Sequence, residues 1–217
     1  MRGMKEEHKV KDIRIRITTT EEMLGTASAN QEIHEEYIAS KAPDALKMEE
    51  EVAAVGAEEV FAKAMTVFPR GSDGRPILWD YQVKGMFKDA CGVLRKVTGS
   101  ESSKIKAYKK EIDGLIFVME RQIPIQFDGA VGICQRPLRA QTPQGERVAL
   151  VSSESIPAGA VMEFTVHLML DEHEKALREW LDYGALRGLG QWRNSGKGRF
   201  SWEEIKRPQK RGGKAVQ

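Results

Sequence analysis

Two periods of hydrophobic spacing follow one another along the chain and predict both strands and helices. Between residues 12 and 18, three isoleucines alternate with two arginines and a threonine. A period of two residues is that of a strand with one buried face, so this segment predicts a strand with a basic outer face. The run YQVKGMFKDACGVLRKV, residues 81–97, has its apolar residues at helical spacing instead. It predicts a helix that ends before Gly99.

The same reasoning predicts the remaining elements. Further strands are expected at residues 114–120, 122–127, 148–151 and 161–170. Asp171 is expected to cap a second helix, at residues 172–183, through its side-chain oxygen. The stripe predicted to be buried on that helix is Ala176, Leu177, Trp180 and Leu181. Residues 66–79 predict a hairpin around the Gly/Asp turn 70–74, and residues 136–147, with two prolines, a glycine and three arginines, predict a loop.

The order of these elements is that of a single α+β domain built on an antiparallel sheet. Residues 25–65 interrupt it between the first strand and the hairpin. They predict a loop, a short helix stopped before Pro43 and an Ala- and Glu-rich amphipathic helix, so we interpret them as a helical insertion. Residues 206–217 are expected to form a basic flexible tail. The whole chain of 217 residues is therefore expected to be one domain.

Charge is distributed unevenly although the formal net charge is only +2. So small a net charge excludes a protein that coats nucleic acid through its overall charge, and such a role requires local clusters. Acidic residues concentrate in the first third of the chain, whereas the C-terminal end is basic. The basic residues there are Arg187, Arg193, Lys197, Arg199, Lys206, Arg207, Lys210, Arg211 and Lys214.

Several kinds of motif are absent from the sequence, and their absence reduces the number of function classes to consider. Two cysteines without metal-ligand spacing, no long apolar run and a charged N-terminus favour a cytoplasmic protein. No cofactor or metal is expected, because no motif for either occurs in the sequence. Catalysis is not expected either, since no Ser/His/Asp or Cys/His set is found at motif spacing.

The stretch GLGQWRNSGKGRF, residues 188–200, combines four glycines with three cations, a tryptophan and an asparagine. Glycine adopts positive φ readily, so such a loop lets backbone N–H groups crowd an anion while the cations approach phosphates. The spacing matches neither a Walker A loop nor a dinucleotide fingerprint, since Gly198 follows the lysine and Arg193 stands where a third glycine is required. A helix C-terminus that runs through a tight turn into a final strand explains the same residues. Both interpretations remain open at this point.

Three segments, taken in order, resemble the CRISPR-associated RAMP superfamily. In ILWDYQVKGMFKDACGVLR, residues 77–95, the sequence VKGMF stands where the family has Ser-Leu-Lys-Gly-hydrophobic-hydrophobic-Arg. SESIPAGAVMEFTVHL, residues 153–168, is similar to the family's Ile-Pro-x-Gly-x-x-hydrophobic turn and strand. The loop at 188–200 resembles the family's glycine-rich signature. The match is most like the backbone-forming subunits of type III effector complexes, and the chain also resembles uncharacterised phage-carried proteins, as a stand-alone member would.

The resemblance implies a ferredoxin-like, RRM-type βαββαβ core that binds RNA. The implied partners are single-stranded RNA or DNA, with RNA favoured, and further copies of the chain or related RAMP subunits, without a membrane. The acidic first third and the basic C-terminal end of the chain permit head-to-tail packing of copies. The alternatives are an interaction protein that imitates an effector subunit and blocks assembly, and a metal-independent endoribonuclease. For the nuclease the candidate groups are His34, which precedes two glutamates, and Asp44.

The resemblance and the clustered cations together supply the candidate nucleic-acid contacts. Trp192 is a candidate for stacking on an unpaired base and equally for the core. Lys84 and Lys88 lie one helical turn apart, and Arg136 and Arg139 lie on the predicted loop. For these four residues a solvated surface is the alternative. The full set is Lys84, Lys88, Arg136, Arg139, Gly188, Gly190, Trp192, Arg193, Asn194, Gly196, Lys197, Gly198 and Arg199.

Overall fold

The computed structural model of the chain describes residues 10–28, 65–142 and 145–206. Most of the predicted insertion, with His34 and Asp44, and the tail from residue 207 lie outside the described residues. The strands are β1 (Lys11–Thr19), β2 (Met23–Leu24), β3 (Ala27–Ser28), β4 (Thr66–Val67), β5 (Ile77–Trp79), β6 (Ile116–Val118), β7 (Gln122–Pro124), β8 (Gly132–Thr142), β9 (Gly145–Ile156), β10 (Val161–Leu168) and β11 (Phe200–Glu204). The helices in these ranges are α1 (Asp80–Leu94), α2 (Tyr108–Leu115) and α3 (His173–Arg187), with 3₁₀ turns at Ser102–Lys104 and Arg193–Ser195.

A four-stranded antiparallel sheet forms the centre, with its strands in the order β11, β1, β10, β6. The chain passes from β1 by way of α1 to β6, and from β10 by way of α3 to β11. Each of these helices therefore joins two strands that are separated by one antiparallel neighbour. This is the βαββαβ arrangement of ferredoxin-like and RRM folds. The predicted α+β class with an RRM-type antiparallel core is confirmed.

Alternation along β1 buries one face of this sheet, as its period of two residues predicts. Ile15 and Ile17 are fully buried, and Ile15 lies opposite Phe164 in the pairing of β1 with β10. The helices cover this face. The stripe predicted on α3 is buried, and the Trp180 ring lies 5.8 Å from the ring of Phe87 on α1. Each large apolar side chain removed from water contributes about 1.5–3 kcal/mol, which holds sheet and helices together.

The outer face of the central sheet carries the predicted arginines, but carboxylates neutralise them. Arg16 contacts Glu163 at 2.7 Å and Glu203 at 2.8 Å. Arg14 contacts Glu163 as well, at 2.8 Å. The hydrogen bond from Arg16 is the main reason why the pKa of Glu163 lies below its usual value. The outer positions of β1 and β10 include no Phe, Tyr or Trp for bases to stack on. Their one ring is that of His167, whose Nδ1 lies 2.7 Å from an Asp12 carboxylate oxygen.

The prediction of a loop at residues 136–147 is wrong, because β8 and β9 pair there as a long antiparallel ribbon. Arg136 lies opposite Val151, and Pro137 lies opposite Leu150. Proline has no N–H to donate, which excludes it from the interior of a sheet but not from an edge strand. Among the described strands β8 pairs only with β9, so Pro137 stands at an edge. The proline therefore does not interrupt the strand.

The hairpin predicted at residues 66–79 forms only next to its turn, where the Ile77 N–H donates to the Pro69 carbonyl at 2.9 Å. The turn itself forms, since the Gly71 N–H donates to the Arg75 carbonyl at 2.9 Å and a bridge joins Arg70 to Pro76. However, β4 pairs with β3 and β9, whereas β5 pairs with β7. Turn residues determine only the local chain reversal, while burial decides which strands pair. The pairing with β3 also places the start of the predicted insertion within a sheet.

The start of α3 differs from the predicted one. The helix begins at His173 with Glu172 as its N-cap residue, and no side chain caps it. Asp171 contributes only its backbone carbonyl, which accepts the Glu174 N–H at 3.0 Å, so the predicted side-chain cap is wrong. Within the described ranges, no helix is long and apolar enough to cross a membrane.

A buried hydrogen-bond network fixes the 3₁₀ turn that follows α1 against α3. The Glu179 carboxylate accepts the backbone N–H of Glu101 at 3.1 Å and that of Ser102 at 3.0 Å. It also accepts the Ser102 hydroxyl at 2.5 Å. The hydroxyl oxygen in turn accepts the indole N–H of Trp180 at 2.9 Å. Since Ser102 and Trp180 are both fully buried, the serine satisfies a polar group that water does not reach.

We expect Ser102→Ala to lower the free energy of unfolding by about 1–3 kcal/mol, because it leaves a buried indole N–H without an acceptor. Ser103→Ala is the control, since the Ser103 hydroxyl is exposed and donates to the nearby Ser100 carbonyl at 2.6 Å. Urea denaturation of both variants measures the difference. Equal free energies of unfolding in the two variants would contradict the assigned role of Ser102.

Candidate nucleic-acid interface

The glycine-rich loop connects α3 to β11 and folds back against the chain that follows β1. The Leu189 N–H donates to the Gly198 carbonyl at 2.9 Å, which closes the loop on itself. The Gly198 N–H donates to the Glu22 carbonyl at 2.8 Å. The Gln191 N–H donates to the Leu24 carbonyl at 3.3 Å. These three donors are therefore used within the protein and are not offered to an anion.

Close backbone contacts require glycine at three positions of the loop. Gly188 has φ of +85°, and a Cβ atom there would lie 2.4 Å from the Lys197 carbonyl oxygen. Gly198 has φ of +70°, and a Cβ atom there would lie 1.8 Å from the Leu189 carbonyl oxygen. Gly190 has φ of +81°, and its Cβ atom would lie 2.4 Å from the Leu24 carbonyl oxygen. No side chain is accommodated at such separations. The loop thus has the tight-turn geometry that one of the two sequence interpretations describes.

Carboxylates hold two of the three cations of the loop. The Lys197 Nζ atom lies 2.5 Å from Glu22. Arg193 lies 3.1 Å from Asp89, which belongs to α1. Burial raises the pKa of Glu22, but the hydrogen bonds it accepts, led by that from Lys197, outweigh burial and lower this pKa overall. These ion pairs fasten the loop to the chain after β1 and to α1, so both cations have a structural role.

Arg199 is the loop cation that stays exposed. Its Nε–H donates to the Leu186 carbonyl at 3.1 Å, and no carboxylate of the described residues forms an ion pair with it. Asn194 is exposed as well, and its Oδ1 accepts a hydrogen bond from Arg187 at 2.6 Å. A shallow cavity of about 430 Å³ opens here, lined by Glu21, Asn194, Ser195, Gly196, Lys197 and Arg199. Arg199 is therefore the cation of this loop that an external anion reaches.

Trp192 projects from the loop with a guanidinium against its ring. The residue is 43% exposed and has φ of 56°, in the left-handed region that bulky side chains rarely adopt. The Arg136 guanidinium carbon lies 5.2 Å from the ring centroid, within the range of a cation–π contact. Arg136 is only 8% exposed, so the ring rests on a buried charge. Of the two alternatives for Trp192, the structure shows a ring at the surface.

Neutral acceptors from separate segments hold the buried Arg136. Its guanidinium donates to Ser153 Oγ at 3.2 Å and to Gln191 Oε1 at 2.8 Å. Thr66 joins the same two atoms, with its Oγ1 2.7 Å from Ser153 Oγ and 3.3 Å from Gln191 Oε1. No carboxylate of the described residues pairs with Arg136, so the ring and these dipoles stabilise its charge. The charge therefore remains able to attract an anion that approaches Trp192.

The sequence points to Arg136 but not to the residues that position it. Its placement on an exposed loop is wrong, since it is buried on β8. Thr66, Ser153 and Gln191 are uncharged and distant from one another in the sequence, so no spacing signals their association. The strand pairing that sets Cys134 opposite Ser153 brings them together. The Arg139 side chain lies outside the described residues.

The two lysines of α1 lie apart from the loop. Lys88 contacts the Asp113 carboxylate at 2.6 Å, and Lys84 donates to the Asp113 backbone carbonyl at 3.1 Å. Burial lowers the pKa of the Lys84 ammonium, which also lies 5.1 Å from the Phe117 ring centroid. Asp89, the next residue of the helix after Lys88, contacts the glycine-rich loop instead. Successive helical residues are about 100° apart, so these lysines face α2 and not the loop.

The described ranges show how metal-ligating side chains and the two cysteines are placed. They contain no group of three or more His, Cys, Asp or Glu side chains that could hold a metal ion. Cys91 and Cys134 are both free, and Cys91 is buried. Burial raises the pKa of the Cys91 thiol, so this residue serves as a small apolar group of the core.

The comparisons with known proteins identify a shared fold. No family model matches the sequence, and no curated protein matches it. Among solved structures, the chain is similar to a subunit in the cryo-EM structure of the type III-B Cmr-beta bound to cognate target RNA, with 13% identity and a TM-score of 0.52. The likeness covers 91% of this chain and 61% of that subunit, so the chain spans less than two thirds of its length. A chain of a type IV-B CRISPR complex is also 13% identical, with a TM-score of 0.45, over 95% of this chain and 92% of that one.

This chain therefore shares the fold of a subunit in the type III-B Cmr-beta structure. The fold agrees with the RAMP resemblance of the three sequence segments. At this level of identity the likeness extends to the architecture and not to individual site residues.

Gly198→Ala is expected to cost much more stability than Gly74→Ala. The two glycines have similar φ, +70° and +76°. Each change therefore costs about 1–2 kcal/mol, because alanine has to adopt a left-handed backbone conformation. A Cβ atom on Gly74 has no heavy atom within 4 Å, whereas one on Gly198 meets the Leu189 carbonyl. We therefore expect a further loss of about 1–3 kcal/mol for Gly198→Ala, because the loop has to shift. Thermal unfolding of the two variants measures this, and equal melting temperatures would refute it.

Proposed function

We propose that this protein is a RAMP-type subunit that binds single-stranded nucleic acid, with RNA preferred to DNA. It acts in the cytoplasm and has no catalytic activity of its own. The Trp192 ring stacks on an unpaired base. Arg136, against the ring, attracts the negatively charged strand, and Arg199 contacts a phosphate. These contacts read the backbone and the face of a base, so the binding depends little on nucleotide sequence.

The observation that carries the proposal is the surface position of the Trp192 ring. Its left-handed backbone, with φ of 56°, costs about 1–2 kcal/mol for a residue that has a Cβ atom. The hydrogen bonds of Arg136 and Gln191 maintain this conformation beneath an exposed aromatic side chain. Strain that the surroundings maintain at an exposed residue points to a functional role. An aromatic ring among cations is also the combination with which single-strand-binding proteins hold nucleic acid.

The shared fold supports the same proposal and favours RNA. The type III-B structure with a TM-score of 0.52 is bound to target RNA. In the present chain the outer arginines of the central sheet are occupied by carboxylates. The contact with nucleic acid therefore falls on the glycine-rich loop and the β8–β9 ribbon, and not on the sheet face.

Trp192→Ala is expected to weaken the binding of a single-stranded oligoribonucleotide by about 1–3 kcal/mol, roughly 5- to 150-fold, because one stacking contact is lost. The slope of log affinity against log salt concentration is expected to stay the same, since stacking releases no counterion. Fluorescence anisotropy at several salt concentrations measures both quantities. The same titrations with an oligodeoxynucleotide of equal length test the preference for RNA.

Two further variants make this test specific. Arg199→Ala removes a phosphate contact and is expected to reduce the magnitude of the salt slope by about 0.7. Leu186→Ala is the control, because that side chain is 72% exposed and has no assigned contact. Unchanged affinity in a folded Trp192→Ala variant would remove the ring from the interface. A wild-type protein that binds neither RNA nor DNA would overturn the proposal and favour the interaction-protein alternative.

We also propose that copies of the protein associate along the bound strand. The acidic first third and the basic C-terminal end of the chain attract one another between copies, and a head-to-tail contact of this kind extends into a row. A shared nucleic-acid strand adds to this attraction by holding neighbours close together.

The mass of the protein–RNA particle is expected to rise in steps as the oligoribonucleotide is lengthened. Light scattering at constant protein concentration measures the mass at each length. The steps are expected to weaken as salt is raised, because charges farther apart than about 10 Å are screened at 0.1 M. A complex of one protein with one RNA at every length would exclude assembly along the strand.

A further inference from the structure

Resting on the proposed function, we propose a second stacking site for the same single strand, formed by Arg121 with Trp79 and Tyr81 at the N-terminal end of α1. An unpaired base stacks there on the exposed cluster that the Arg121 guanidinium forms with the two rings. The three residues lie outside the glycine-rich loop, and the sequence patterns do not single them out.

Arg121 lies over two aromatic rings at once. Its guanidinium carbon is 5.3 Å from the Trp79 ring centroid and 5.8 Å from that of Tyr81. The two rings are stacked, with centroids 6.4 Å apart and planes inclined by 13°. Arg121 also forms an ion pair with Asp80, whose N–H donates to the Arg121 carbonyl at 3.2 Å. The guanidinium is therefore oriented before a ligand arrives.

This fixed side chain is nevertheless open to solvent. The Arg121 side chain is 60% exposed although it contacts both rings. Unstacked bases of single-stranded RNA stack on arginine planes as they do on aromatic rings. Because Asp80 neutralises the charge, stacking contributes more here than attraction to a phosphate. The chemistry of the site therefore fits a nucleobase.

A short segment of backbone links this site to Trp192. The Leu24 carbonyl accepts the N–H of Gln191, the neighbour of Trp192, at 3.3 Å. Two residues further on, Thr26 Oγ1 accepts the side-chain amide of Gln82, which directly follows the aromatic pair, at 2.7 Å. The three residues from Leu24 to Thr26 span at most about 10 Å when extended. A single strand that crosses this segment reaches both stacking sites.

The test compares Arg121→Ala with Arg95→Ala in the binding of oligouridylate and oligodeoxythymidylate of about 12 nucleotides. Arg95 is a matched control, because its guanidinium carbon lies 5.2 Å from the Tyr108 ring centroid at the other end of α1. We expect Arg121→Ala to weaken binding by about 5-fold or more, with an unchanged salt slope, and Arg95→Ala to have no effect. Arg121→Lys, which keeps the charge but loses the plane, is expected to bind as weakly as the alanine variant.

The outcomes separate this site from the proposed function. If Trp192→Ala weakens binding but Arg121→Ala binds as well as Arg95→Ala, the second site is wrong and the proposed function stands. If the wild-type protein binds neither oligonucleotide, the proposed function itself is wrong.

Crosslinking of the unaltered protein tests the site even if the Arg121 variants do not fold. Irradiation with a strand that carries 5-iodouracil, followed by mass spectrometry of the peptides, locates the bases. Crosslinks to Trp79 or Tyr81 are expected in addition to those at Trp192. Crosslinks at Trp192 without any at residues 79–81 would overturn the second site.

Discussion

The backbone contact between the glycine-rich loop and the chain that follows β1 is the constraint on which the rest of this structure depends. Gly198 donates to the Glu22 carbonyl, and Thr20 donates to the Arg199 carbonyl at 2.8 Å. Gly190 permits this close approach, because a Cβ atom there would lie 2.4 Å from the Leu24 carbonyl oxygen. The contact brings β11 alongside β1 and thereby completes the central sheet. It also determines where Trp192 lies relative to β8.

The loop illustrates how fold and binding compete for the same residues. Its composition is that of an anion cradle, but several of its N–H groups and two of its cations are engaged within the protein. What remains for a ligand is the Arg199 guanidinium and the Trp192 ring, backed by the buried charge of Arg136. Whether a glycine-rich basic stretch binds an anion therefore depends on which of its N–H groups and cations already have partners within the protein, and not on its composition.

Elements whose burial is periodic could be predicted from the sequence. The strand at β1 and the helices α1 and α3 repeat their apolar residues with the period of their own geometry, and that information is local. The failures occur where the deciding partner is distant. Pro137 predicts a loop from its sequence alone, and only the tertiary structure shows that β8 is an edge strand, where proline is tolerated. The turn near Gly71 predicts a hairpin, but β4 and β5 pair with other strands.

For the candidate site, the sequence by itself determined which residues carry charge and where the glycines cluster, and its resemblance to the RAMP superfamily predicted an RRM-type core. The tertiary structure alone decided which cations are engaged in ion pairs, which side of the sheet is neutralised and which polar residues surround Arg136. The physical reason is that a side chain's ability to bind a ligand depends on the groups already in contact with it. Those groups come from strands and helices far apart in the chain, and only strand register and packing bring them together.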